Sequence, residues 1–101
     1  MNDKLFNAIW KDALHSNDQR TAFITRWMQS GQLPDGSASE VAAVWDAAHI
    51  TIKEIRAATG LTQMQFCERY CIPRSTLQHW ELVKGPAPYL KLLLCRAVGL
   101  I

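Results

Sequence analysis

The sequence predicts an all-α fold. Residues with helix-capping chemistry recur along the whole chain, and glycine or proline closes most of the segments they open. No run alternates apolar and polar residues with period two, and no Asn-Gly or Asp-Gly pair lies between strand-like segments. With 101 residues, 49% of them hydrophobic, the chain can fill one modest core with a small appended module. The helices accordingly divide into an N-terminal segment of about three helices (1–48) and a C-terminal helical bundle (49–101).

In chain order, Phe6, Ile9, Trp10, Ala13 and Leu14 share one face of a first helix over 3–15. Ser16 and Gln19 have the spacing of a capping box, so a second helix is expected from "SNDQ", carrying Phe23, Ile24, Trp27 and Met28 inward and stopping at Gly31. "GQLPDGS" is a loop. Ser37 and Glu40 repeat the capping-box spacing before a third helix whose apolar side is Val41, Val44, Trp45 and Ala48.

The helices then shorten. Thr51 with Glu54 opens one that holds Ile52 and Ile55 and ends at Gly60, and Thr62 with Gln65 opens another running through Tyr70. Pro73 suits the first turn of the next helix, where its missing N–H would have no partner. That helix is expected to turn Leu77 and Trp80 inward and to end near Gly85. After "GPAP" a last helix presents Leu90, Leu93, Leu94, Ala97 and Val98 and stops at Gly99.

Nowhere do about 18 apolar residues run together, and "MNDKLFNAIWKD" has no cleavage-site pattern, so a cytoplasmic protein without a membrane span is expected. Three cysteines, Cys67, Cys71 and Cys95, fit reduced thiols better than a disulfide framework. Cys67 and Cys71 could share a helical face, but a zinc site would need two further ligands and only His79 is near. No metal or cofactor is expected. The net charge of +2 is unevenly spread: residues 1–48 hold four basic and six acidic side chains, residues 49–101 seven and three. A basic half is a weak pointer to nucleic acid.

The segment "LTQMQFCERYCIPRSTLQHWE" places two capped helices either side of the three residues "CIP". That is the size of a helix-turn-helix unit. Its second helix must pack inward with Leu77 and Trp80 while Arg74, Ser75, Gln78 and His79, all able to hydrogen-bond, face outward. From about Ile52 to Val98 the chain resembles the lambda-repressor-like, Cro/cI-type (XRE-like) helix-turn-helix regulators. The residues that carry the likeness are "GLTQMQFCERY", "IPRSTLQHWE" and "PAPYLKLLL", in that order.

The resemblance implies double-stranded DNA as partner. Thr62 and Gln63 would open the first motif helix against a phosphate. Arg74, Ser75 and His79 would fall at base-reading positions with Gln78 beside them, and Arg74 would read a guanine through two hydrogen bonds. The bland alternative for Arg74 is a surface arginine beside Glu68 or Glu81, and for His79 a solvated side chain. Cys71 stands where the family usually has glycine, which predicts a widened turn. Leu82-Val83 replaces the usual glycine and basic residues, leaving Lys84 as the phosphate contact at that end.

Two functions follow as expectations. The first is a sequence-specific transcriptional regulator, a repressor binding inverted half-sites as a homodimer, with the N-terminal helices supplying the dimer contact or covering the DNA-binding core. The second is an antitoxin-like protein whose acidic N-terminal half holds a toxin-like partner and whose C-terminal half autoregulates an operon. An exposed tryptophan cluster would distinguish the second. An enzyme is not expected, because the chain has no phosphate-cradling glycine loop and no carboxylate pair or Cys/His arrangement suited to catalysis.

Overall fold

Asn2 accepts the N–H of Leu5 through its side chain at 2.8 Å, and the chain enters its first helix there. The computed structural model describes residues 1–101 and contains seven helices and no strand: α1 (Asp3–His15), α2 (Arg20–Gln29), α3 (Ala38–His49), α4 (Ile52–Thr59), α5 (Gln63–Tyr70), α6 (Arg74–Leu82) and α7 (Pro88–Ala97). They form two compact units, Met1–His49 and Ile50–Leu100. No helix is long and apolar enough to cross a membrane.

In the first unit α3 packs against both α1 and α2. Ile9, Trp10, Ala13, Phe23, Trp27, Val41, Val44 and Ala48 are buried, at the spacing that amphipathic helices require. A polar clamp ties the end of α1 to α2. The Trp27 indole N–H donates to Asp12 Oδ2 at 2.8 Å, and Arg26 reaches Asp12 and Asp18 together. Trp45 is half-buried, stacked on His49 with ring centroids 3.9 Å apart, and its Nε1 donates to the Asp18 carbonyl.

Two expected caps in this unit do not form. Ser16 instead accepts the Asp18 N–H within the loop, and α2 begins only at Arg20, without a side-chain cap. The Ser37 hydroxyl is turned to the Pro34 carbonyl at 2.7 Å rather than to the helix that follows. In the second unit both expected capping boxes are complete. Thr51 exchanges bonds with Glu54, Thr62 exchanges them with Gln65, and Gly60 closes α4 at φ 72°.

Here α5 packs on α6, while α4 touches both α6 and α7. The core is Ile52, Ile55, Phe66, Cys67, Leu77, Leu94 and Cys95. Trp80 departs from expectation: it is half-buried, and Leu77 alone on α6 is buried. α6 also ends at Leu82, three residues before Gly85. On α7 the inward residues are Leu94 and Cys95, whereas Leu93 and Ala97 face out. Its near-continuous apolar run does not by itself determine which side packs.

The turn between α5 and α6 is not widened. Cys71 takes the left-handed conformation itself, φ 54° and ψ 40°, and the Cys71 and Ile72 N–H groups both donate to the Cys67 carbonyl. A side chain there costs about 1–2 kcal/mol, part of which glycine would return as added freedom of the unfolded chain. Cys71→Gly is therefore expected to stabilise the fold by about 0.5–1 kcal/mol in urea unfolding. The three cysteines are free. Cys67 is buried and Cys71 exposed, so the pair does not share a face.

Stability should also depend on acid pH in a definite direction. The Arg26 hydrogen bond, helped by Ser16, holds Asp18 below the usual carboxylate range, and the Thr51 backbone and hydroxyl do the same for Glu54. A carboxylate depressed in the folded state stabilises it above its unfolded value and loses that contribution as pH falls through the folded value. Both contributions are thus present at neutral pH. Thermal melts should decline as pH drops below the ordinary carboxylate range, and substituting Asp18→Asn should shrink the decline.

Candidate nucleic-acid interface

α6 begins with a proline and no capping side chain. Pro73, at φ −57°, offers only its carbonyl, which accepts the Leu77 N–H at 3.1 Å. The first-turn N–H groups of α6 therefore have no side-chain partner within the chain, and such groups favour an anion. Leu77 is fully buried on the inner side. Arg74, Ser75, Gln78 and His79 are all exposed. Steps of four pair Arg74 with Gln78 and Ser75 with His79 on the outer surface. The helix thus presents donors and acceptors outward from a side anchored by one leucine.

In the first unit both arginines are paired, Arg20 with Asp46 at 2.8 Å and Arg26 with two aspartates, while Lys4 and Lys11 pair with no carboxylate. In the second unit Lys53, Arg69, Arg74 and Lys84 pair with no carboxylate, and all four are exposed. Arg74 meets neither Glu68 nor Glu81. Its charge faces solvent, available to a ligand.

Glu81 is occupied elsewhere. Its carboxylate, 3% exposed, receives two bonds from the Arg56 guanidinium, Nε to Oε2 at 3.1 Å and Nη2 to Oε1 at 3.0 Å. Arg56 Nη1 also donates to the Leu61 carbonyl at 3.2 Å, just before α5. One side chain on α4 thereby holds the end of α6 and the approach to α5. The Glu81 hydrogen bond, opposed by partial burial, holds Arg56 still more firmly protonated. Twenty-five residues separate the pair, so no local spacing announces it.

The other expected site residues are outside α6. Thr62 is exposed and its hydroxyl accepts the Gln65 N–H at 3.2 Å, while Gln63 is half-buried at the head of α5. Lys84 is exposed beyond the opposite end of α6, and its backbone N–H donates to the His79 carbonyl. At 1.5 Å per residue it lies roughly 15 Å along from Arg74. The structure therefore brings together Arg74, Ser75, Gln78 and His79 and sets Lys84 at a distance. When the chain is compared with known proteins, no family model, no curated protein and no solved structure matches it.

Proposed function

We propose that the protein is a cytoplasmic, sequence-specific DNA-binding regulator, a repressor that acts as a homodimer on inverted half-sites. The observation that carries this reading is the outer face of α6. Its first-turn N–H groups have no capping side chain, and Arg74, Ser75, Gln78 and His79 are exposed over a single buried anchor, Leu77. Phosphate binding needs free N–H groups and unneutralised cations, whereas base reading needs side chains that can both donate and accept. The second unit supplies both. Thr62, Gln63 and Lys84 act in this reading as phosphate contacts, and Arg74 as the guanine reader.

The alternative, an antitoxin-like protein holding a toxin-like partner, called for exposed tryptophans. Trp10 and Trp27 are buried and Trp45 is half-buried with its indole N–H satisfied, so regulation by direct DNA contact is preferred. Selection of bound duplexes from a random pool tests it. Enrichment of a two-fold-related motif is expected, with affinity that falls as salt rises because phosphate contacts release counterions. A pool that enriches nothing at low salt would overturn the proposal.

A further inference from the structure

We propose that the outer side of α1 is a second nucleic-acid contact, a strip that holds the phosphate backbone of duplex DNA without reading its sequence. The choice of duplex DNA rests on the DNA-binding reading above, while the strip itself rests on the first unit alone. Lys4, Ala8, Lys11 and His15 follow one another at steps of four, three and four, which sets them on one side of the helix. All four are exposed. Ile9, Trp10 and Ala13 are buried on the opposite side, so packing fixes the strip outward.

Residues 1–48 carry more acid than base, but that count conceals how the charges are used. Arg26 takes Asp12 and Asp18 and Arg20 takes Asp46, so both arginines and these three carboxylates neutralise one another. The two lysines of α1 keep their charge for a ligand. Asp3, one residue before Lys4, lies about 100° round the helix and pairs with neither lysine. A concavity of about 370 Å³ opens on the same side, lined by Asn2, Lys4, Leu5, Ala8 and Gln32. Its polar groups are one ammonium and two amides, with no carboxylate among them. The Asn2 oxygen already accepts the Leu5 N–H, which leaves the Asn2 amide NH₂ as the free end. Such a lining of donors suits a phosphate oxygen.

The occupant is a run of phosphates and not one small anion. Lys4 and His15 stand roughly 16 Å apart along α1 at 1.5 Å per residue, farther than a single phosphate reaches. Duplex DNA presents one negative charge per ~1.7 Å of its axis, so several fall along that length. Between Lys4 and His15 the helix exposes only Asn7, Ala8 and Lys11. With no exposed aromatic or large aliphatic side chain there, the strip lacks the anchors of a helix that lies in a lipid surface. Ala8, short and central, lets a backbone come close between the two lysines.

Duplex binding by the full chain across a salt series tests the strip, with the duplex selected from the pool and a scrambled one in parallel. Each phosphate contact adds about 0.9 to the slope of log affinity against log salt, so Lys4→Gln with Lys11→Gln should lower that slope by about 2. Both duplexes should weaken by the same factor, because backbone contacts carry no base information. Ala8→Glu should weaken both as well, whereas Thr25→Glu, an equal change in net charge on the exposed side of α2, should not. All four positions are exposed, so circular dichroism melts should be unchanged, and two independent variants guard against one that folds poorly. If the wild-type chain prefers the selected duplex while the lysine and Ala8 variants keep its affinity and slope, the strip is overturned and the DNA-binding reading stands. Equal weakening by Ala8→Glu and Thr25→Glu would also overturn it, since net charge alone would then be at work. A wild-type chain that binds no duplex at low salt removes both. Binding of all duplexes alike, lost with Lys4 and Lys11, would instead sustain the strip and remove the sequence-specific reading.

Discussion

Glu81→Ala is expected to destabilise the second unit by about 3–5 kcal/mol, because it leaves the Arg56 guanidinium without its carboxylate in a largely enclosed site. Whole domains are stable by only about 5–15 kcal/mol, so the variant should be partly unfolded at moderate temperature. The isolated pair need not be worth that much. Removing both charges, as in Arg56→Met with Glu81→Leu, should restore most of the loss, since a well-packed apolar pair avoids the desolvation cost. Arg56→Lys should not, because a lysine cannot make two parallel bonds to the carboxylate and a third to the Leu61 carbonyl. Urea unfolding of the four chains measures all of this. A Glu81→Ala loss below about 1 kcal/mol would mean that the pair behaves like a surface ion pair.

Arg74→Ala is expected to act on the opposite axis, changing recognition and leaving stability alone. If Arg74 makes the bidentate guanine contact, its removal should cost about 1–3 kcal/mol of discrimination at one position of each half-site. The melting temperature should hardly move, because the side chain is exposed and has no ion-pair partner. Lys84→Ala should weaken specific and scrambled duplexes by similar factors, since a phosphate contact carries no base information. Comparing both variants on both duplexes gives two different signatures from one assay. Equal losses everywhere would show that the second unit offers only a general basic surface.

The chemistry that was legible in the sequence is the chemistry that stays local. Thr51 with Glu54 and Thr62 with Gln65 meet across three residues, and nothing distant competes for either pair. Ser16 with Gln19 and Ser37 with Glu40 have compatible spellings and a different outcome. Around Ser16, Asp18 is drawn into the Arg26 cluster and the Ser16 hydroxyl caps the loop. Ser37 turns to Pro34. Tertiary partners decide such cases.

The polar face of α6 was equally readable, because Leu77 sets the helical phase and Arg74, Ser75, Gln78 and His79 follow from it. Trp80 was misjudged for a related reason. A tryptophan three residues beyond Leu77 lies at the margin of the buried side, and its bulk leaves an edge in solvent. The phase read for "YLKLLLCRAV" set Leu93 and Ala97 on the same face as Leu94, whereas both are exposed and Cys95 is buried instead, since apolar residues occupy nearly every angle around the helix and leave its phase under-determined. The Arg56–Glu81 pair had no signature, and Cys71 in a left-handed turn went against the residue preference that predicted a wider one.

The reach of Arg56 has a consequence for how this unit opens. α4 and α5 have eight residues each and α6 has nine, lengths at which an isolated helix in water melts. One guanidinium on α4 closes the end of α6 and the entry to α5, so none of the three can fray far without releasing the others. Their backbone amides should exchange with deuterium together, as one cooperative block. α6 is then ordered before any ligand arrives, and binding does not have to supply the entropy of folding it.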